Sequence, residues 1–191
     1  MAFHVPISKD LPTSIDGNDM WVFAYASLMW RPDFEHTEIC DATVHGFNRS
    51  LCIYSYQYRG TPECPGLVFG LDQGGSCRGR VLKVAAENVD TVMAYLYERE
   101  MINNVYVPQM VPVTITTEQG TTHEAKSLAF ITDRSHKQYC GPISDEEAVK
   151  LIRQGFGLGG ACIDYLISTA EHLRNLDIID HDLEKLIKLA Q

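Results

Sequence analysis

Nowhere do the 191 residues contain an apolar run approaching the ~20 that a helix needs to cross a bilayer, so no membrane-spanning segment is expected. Basic residues are scarce: 16 lysines and arginines against 25 aspartates and glutamates give a formal net charge of −9, and no lysine- or arginine-rich tract exists. The phosphate-neutralising footprint of a nucleic-acid binder is missing, and neither nucleic acid nor a membrane is expected as a partner. The seven histidines (His4, His36, His45, His123, His136, His172, His181) form no i, i+4 pair and the cysteines no C-x-x-C, so no metal is expected. There is no G-x-S-x-G elbow, and Ser27 has no histidine beside it to activate it, which argues against a serine nucleophile. The six cysteines (Cys40, Cys52, Cys64, Cys77, Cys140, Cys162) stand at least twelve positions apart behind no recognisable signal peptide. They read as reduced thiols in a soluble, cytoplasmic protein.

What is present suits one domain, long enough to bury a sizeable core. Residues 1–19 are punctuated by proline and aspartate and read as an N-terminal arm; residues 20–191 read as a single domain. Six short β-like runs follow, at 22–25, 42–56, 66–71, 78–84, 111–117 and 126–131, each bounded by turn-forming or polar residues. A helix is expected over 87–100, where Val89, Val92, Met93 and Leu96 recur at helical spacing behind an acidic start. After Pro142 the pattern is helical: Ser144 caps a helix through Arg153, and two more follow at 163–173 and 180–189. Strands first and helices last predict an α+β fold, a small twisted sheet or barrel flanked by helices with a helical C-terminal part.

Gly155-Phe156-Gly157-Leu158-Gly159-Gly160 fits G-x-G-x-x-G by letter, but it follows a helix rather than a strand. A helix stop with a flexible linker is the expected use of these glycines.

Two features carry chemistry. The apolar run ending in Tyr25-Ala26-Ser27-Leu28 empties into a turn of small residues, whose backbone N–H groups a carboxylate or a developing oxyanion can approach closely. The second is Glu100. Extending the stripe Val89, Val92, Met93, Leu96 by four places lands on Glu100, whereas Glu98, about 200° away, faces outward. A carboxylate on a buried stripe is either neutralised by a cation such as Arg99 or has its pKa raised by desolvation, which suits a general base.

The segments 22–30, Tyr58-Arg59-Gly60-Thr61-Pro62, Tyr95-Leu96-Tyr97-Glu98-Arg99-Glu100, Tyr139-Cys140-Gly141-Pro142 and Asp164-Tyr165-Leu166, in this order, resemble the ChaC-type γ-glutamylcyclotransferases. The resemblance runs from residue 20 to about 176. It implies a small mixed β-barrel of about six strands with packed helices. It also implies cofactor-free cleavage of glutathione into 5-oxoproline and cysteinylglycine. Matched onto this chain, it makes Glu100 the catalytic glutamate and Val22, Phe23, Ala24, Tyr25, Ala26, Ser27 and Leu28 the cradle of the γ-glutamyl group. Arg59 would meet the glycyl carboxylate, Arg31 would steer an anionic tripeptide, and Tyr106 and Tyr139 would donate hydrogen bonds near the site. The partner is then a small molecule, glutathione or another γ-glutamyl compound. Two positions depart from the family pattern: Ala26 stands where glycine is usual, and Cys162 where many members carry asparagine. They leave room for a cyclotransferase of other γ-glutamyl amines or amino acids, or for a binding module without turnover.

Overall fold

The computed structural model describes residues 18–191, so all but the last two residues of the expected arm lie outside the described part. The described residues form two compact units: one takes in residues 18–49 together with Leu71–Asp133, the other Ser50–Gly70 together with Arg134–Gln191. Among the described residues no helix is long and apolar enough to cross a membrane.

Five long strands, β1 (Met20–Ala24), β2 (Glu38–Ser55), β3 (Gly66–Val84), β4 (Tyr106–Thr116) and β5 (Thr122–Thr132), close into a barrel in the order β1-β3-β2-β4-β5. In the first unit β1 runs antiparallel to β3, from Met20↔Val84 to Ala24↔Arg80, and parallel to β5 through Trp21↔Ser127 and Val22↔Leu128. With partners on both sides β1 is a central strand, and Met20, Val22, Phe23 and Ala24 are all buried, as a nearly continuous apolar run demands. The β4–β5 hairpin is unbroken from Tyr106↔Thr132 to Thr116↔Thr122. Its turn is closed by the Thr117 N–H on the Thr121 carbonyl at 2.9 Å. Helix α1 (Val89–Glu100) starts after a single 3-10 turn, Ala86–Asn88, and buries Val89, Val92 and Leu96.

Two of the expected strands, 66–71 and 78–84, are halves of the one strand β3. Gly74 and Gly75 lie between the two expected runs, yet at φ +107° and +68° they stay inside the strand. There the Asn48 amide donates to the Gly74 carbonyl at 2.9 Å, so the glycines bend the strand rather than end it.

The second unit holds helices α2 (Asp145–Gln154), α3 (Cys162–Arg174) and α4 (His181–Ala190). Ser144 Oγ accepts from the Glu147 N–H at 3.2 Å and Asp180 Oδ1 from the Leu183 N–H at 3.0 Å, giving α2 and α4 side-chain caps worth ~1 kcal/mol each. The far end of α4 is closed by Arg153, which donates to the Ala190 and Leu189 carbonyls at 3.0 and 2.9 Å. Leu151, Ile152, Leu166, Leu173 and Leu183 bury the facing stripes.

The glycine run is not a linker. Phe156–Gly157 (β6) and Gly160–Ala161 (β7) pair as a two-stranded hairpin, with the Leu158 and Gly159 N–H groups donating to the Gln57 and Tyr58 carbonyls at 2.9 and 2.8 Å. A Cβ on Gly155 would lie 2.4 Å from the Arg59 carbonyl oxygen, and one on Gly157 2.4 Å from that of Gln57. The glycines are there because backbone presses on backbone. Gly155→Ala is therefore expected to lower unfolding free energy by about 1–3 kcal/mol. In urea unfolding, a midpoint equal to that of the parent would refute this account of the hairpin.

Candidate active site

The site candidates of the first unit begin where β1 ends. Beyond the pair Ala24↔Arg80 the chain leaves the ladder, and Gly79 makes the exit possible: a Cβ there would lie 2.3 Å from the Ala24 carbonyl oxygen. The Tyr25 side chain is buried with its hydroxyl donating to the Phe130 carbonyl at 3.2 Å. Arg49 pins the same residue from the other direction, Nε donating to the Tyr25 carbonyl and Nη2 to the Arg78 carbonyl. Residues Ser27–Met29 then form one 3-10 turn, with the Met29 N–H on the Ala26 carbonyl and the Arg31 N–H on that of Ser27, both at 2.8 Å. The N–H groups that open such a turn are not used by its own hydrogen bonds, which is the feature a carboxylate or oxyanion needs. Ala26 has φ −141°, outside the left-handed region, so the residue in place of the family's glycine meets no left-handed strain there.

Glu100 is the last residue of α1. Its side chain is 17% exposed, while Glu98 faces solvent, as the stripe predicts. Burial holds the Glu100 pKa above the ordinary glutamate range, against the opposing pull of the Arg99 charge and hydrogen bond. Desolvation therefore outweighs the ion pair. That pair is real: Arg99 Nε lies 3.2 Å from Glu100 Oε1.

Arg99 does more than neutralise. Its Nη1 donates to the Arg31 carbonyl at 2.6 Å, the Pro32 carbonyl at 3.2 Å and the Tyr95 hydroxyl at 2.9 Å, and lies 3.6 Å from Asp33 Oδ2. Nη2 donates to Ser27 Oγ at 3.2 Å. One guanidinium thus joins the end of α1 to the turn that follows β1. Sequence reasoning had Arg99 only as a possible counter-ion and passed over Arg49 entirely. The polar stretch Asn48-Arg49-Ser50, set between the apolar Phe47 and Leu51 within one strand, was the available signal for the latter.

The remaining candidates are placed as follows. Arg31 is largely exposed, with its Nε 3.8 Å from Asp33 Oδ2. Tyr106 opens β4 opposite Thr132 in the first unit. Arg59 and Tyr139 belong to the second unit. Arg59 Nη1 donates to the Gly159 and Ala161 carbonyls, and its guanidinium lies over the Tyr165 ring, 5.2 Å from the centroid. Tyr139 bridges Ile53, with the Arg134 guanidinium 5.9 Å from its ring centre. Cys162 is fully buried at the start of α3, where its thiol donates to the Leu67 carbonyl at 3.2 Å and accepts from the Leu67 N–H at 3.3 Å. Burial pushes that thiol up to about 11. Among the described residues no three His, Cys, Asp or Glu side chains converge as a metal-holding set.

The architecture matches the crystal structure of a yeast γ-glutamyl cyclotransferase specific to glutathione, with a TM-score of 0.82 at 23% identity over 91% of this chain and 96% of that one. The fold is thus that of the γ-glutamyl cyclotransferases. The family model described as ChaC-like protein matches residues 20–191, and the chain belongs to that family. Among its relatives, the glutathione-specific γ-glutamylcyclotransferase of Escherichia coli (strain K12) is 31% identical over 172 residues, 90% of this chain and 73% of that protein. Glutathione-specific γ-glutamylcyclotransferase 1 of Homo sapiens is 29% identical over 161 residues, 83% of this chain and 72% of that protein.

A raised carboxylate pKa in the fold means that the native state favours the protonated form. The stabilisation this gives is complete below the ordinary glutamate pKa and is lost as pH rises through the folded value. Glu100→Gln, neutral throughout, should melt above wild type at pH 7.5, and the gap should shrink toward pH 4. A gap that widens on acidification would show that the carboxylate is stabilised, not strained, in its site.

Proposed function

We propose that this protein cleaves glutathione to 5-oxoproline and cysteinylglycine without a cofactor, Glu100 acting as general acid and base. The observation that carries the reading is a desolvated carboxylate at the end of α1, tied by Arg99 to the turn after β1. The names of the Escherichia coli and Homo sapiens relatives, both glutathione-specific γ-glutamylcyclotransferases, support the choice of substrate.

The reaction is intramolecular. The α-amine of the γ-glutamyl group attacks its own γ-carbonyl carbon, closing a five-membered ring as the bond to the cysteinyl nitrogen breaks. Bending the glutamyl chain so that amine and carbonyl meet is worth ~7 kcal/mol or more, so no nucleophilic side chain is needed. Glu100 takes a proton from the α-ammonium and returns one to the departing nitrogen, leaving the enzyme unchanged. Such transfer by a positioned group contributes about 10²–10⁴-fold. Backbone N–H groups of residues 25–28 hold the substrate carboxylate or the oxyanion that forms at the γ-carbon. Because a general base must be ionised, the raised pKa of Glu100 puts the acid limb of the rate above the ordinary glutamate range. The substrate-binding parts of Arg59, Tyr106 and Tyr139 rest on the family resemblance. A cytoplasmic location suits the six free cysteines.

Release of 5-oxoproline from reduced glutathione tests the reading. Wild type should turn over, and Glu100→Gln should lose about 10²–10⁴ in kcat while the fold persists. Alanine at Arg59 and phenylalanine at Tyr106 or Tyr139 should raise KM. Turnover of γ-glutamyl amino acids in place of glutathione would redirect the substrate assignment. Undiminished activity in Glu100→Gln would remove Glu100 from its role.

A further inference from the structure

Adjacent residues on a helix point about 100° apart, so neighbours such as Arg99 and Glu100 ordinarily diverge. Here the arginine folds back. Nε meets Glu100 Oε1 at 3.2 Å while the two terminal nitrogens reach past the helix end to Ser27 Oγ and to the Arg31 and Pro32 carbonyls. Only 21% of the side chain is exposed, so this is not a solvated surface cation. The Tyr95 hydroxyl, one turn back on α1, takes a further donation at 2.9 Å and fixes the plane of the guanidinium. A planar fork with five N–H donors can serve these acceptors at once; an ammonium, a single point of charge, cannot span them.

Resting on the function proposed above, we propose that Arg99 is a positioning residue, setting the Glu100 carboxylate and the turn at 27–32 in one shared geometry. Arg99 occupies Oε1, so Oε2 is the oxygen that exchanges the proton. As the α-ammonium gives its proton to Oε2, the amine nitrogen bonds to the γ-carbon. When the bond to the cysteinyl nitrogen breaks, Oε2 returns that proton to it, and the second proton that the ring nitrogen sheds on becoming a lactam N–H passes to the same nitrogen, which leaves as an ammonium, so protons and electron pairs balance with no other reactant. The same guanidinium holds Ser27, and so the turn whose N–H groups face the substrate cannot drift relative to the base. Misplacement of a reacting group by about 1 Å can cost 10²-fold, which is the scale of effect expected from losing this link.

The test is steady-state release of 5-oxoproline from glutathione by wild type, Arg99→Met, Arg99→Lys, Ser27→Ala and the Arg99→Lys/Ser27→Ala double variant. Arg99→Met should lose about a hundredfold in kcat with KM changed by no more than about threefold, because the loss is of alignment rather than of substrate contacts. Arg99→Lys keeps the charge but not the fork and should recover no more than about a tenth of wild-type kcat. Ser27→Ala should cost about fivefold in the wild-type background and under about twofold beside Arg99→Lys, since the two positions act through one contact. Should Arg99→Met fail to fold, the Lys and Ala cycle decides. Near-wild-type kcat in Arg99→Lys, or strictly additive losses in the cycle, would overturn the proposal. A wild type inert toward every γ-glutamyl compound would instead overturn the proposed function, and this inference with it.

Discussion

The arrangement around Glu100 depends on one guanidinium held between a carboxylate and a turn. Removing two charged groups from water costs several kcal/mol for each, and their attraction repays this only when geometry and additional hydrogen bonds are good. At Glu100 the repayment is incomplete, which is why its pKa stays above the ordinary range despite an arginine 3.2 Å away. For Arg99 the compensation is fuller, because the Arg31 and Pro32 carbonyls, the Tyr95 hydroxyl and Ser27 supply the acceptors that water would otherwise provide. The pair is therefore asymmetric: the cation is satisfied and the anion is left under tension. A proton carrier needs that tension, since a carboxylate stabilised on every side would have no reason to accept a proton.

The second unit solves a different problem with a different device. Its hairpin contributes almost no buried side chain of its own, and Phe156 and Leu158 point outward at 68% and 80% exposure. What holds it is backbone contact, with the Leu158 and Gly159 amides on the 57–58 carbonyls and glycines where any side chain would collide. Arg59 then locks the hairpin by donating to the Gly159 and Ala161 carbonyls while its face covers Tyr165. Hydrogen bonding and the absence of bulk take the place of apolar burial.

Much of this was legible in the letters. Short β-like runs bounded by turn-forming or polar residues located the barrel strands, and a period of 3.6 located the four helices of the described residues, because burial on one face of a helix leaves a periodic trace. Glu100 stood out by the same reasoning, a charged residue at a position the stripe reserves for an apolar one. The failures share a cause. The expected strands 66–71 and 78–84 stop short of Gly74 and Gly75, and Gly155 to Gly160 read as a linker, because glycine marks both chain flexibility and close backbone approach, and only the neighbours in space tell the two apart. Arg99 and Arg49 were underrated for a related reason. Their acceptors are mostly main-chain carbonyls of residues 24 to 68 positions away, and a carbonyl carries no letter.

Cys162 has a consequence of another kind. A thiol held at about 11 is ionised in about one molecule in 10⁴ at neutral pH, and only the thiolate attacks disulfides. Cys40, raised to a similar value by burial and by its hydrogen bond to Glu38, is equally unreactive. A protein that handled a thiol tripeptide would be bathed in the very reagent, with its oxidised dimer, that forms mixed disulfides on accessible cysteines. The fold leaves Cys64 as its exposed thiol and keeps Cys162 chemically silent. Oxidation of the surrounding pool would thus mark the surface at Cys64 while the start of α3 stayed unmodified.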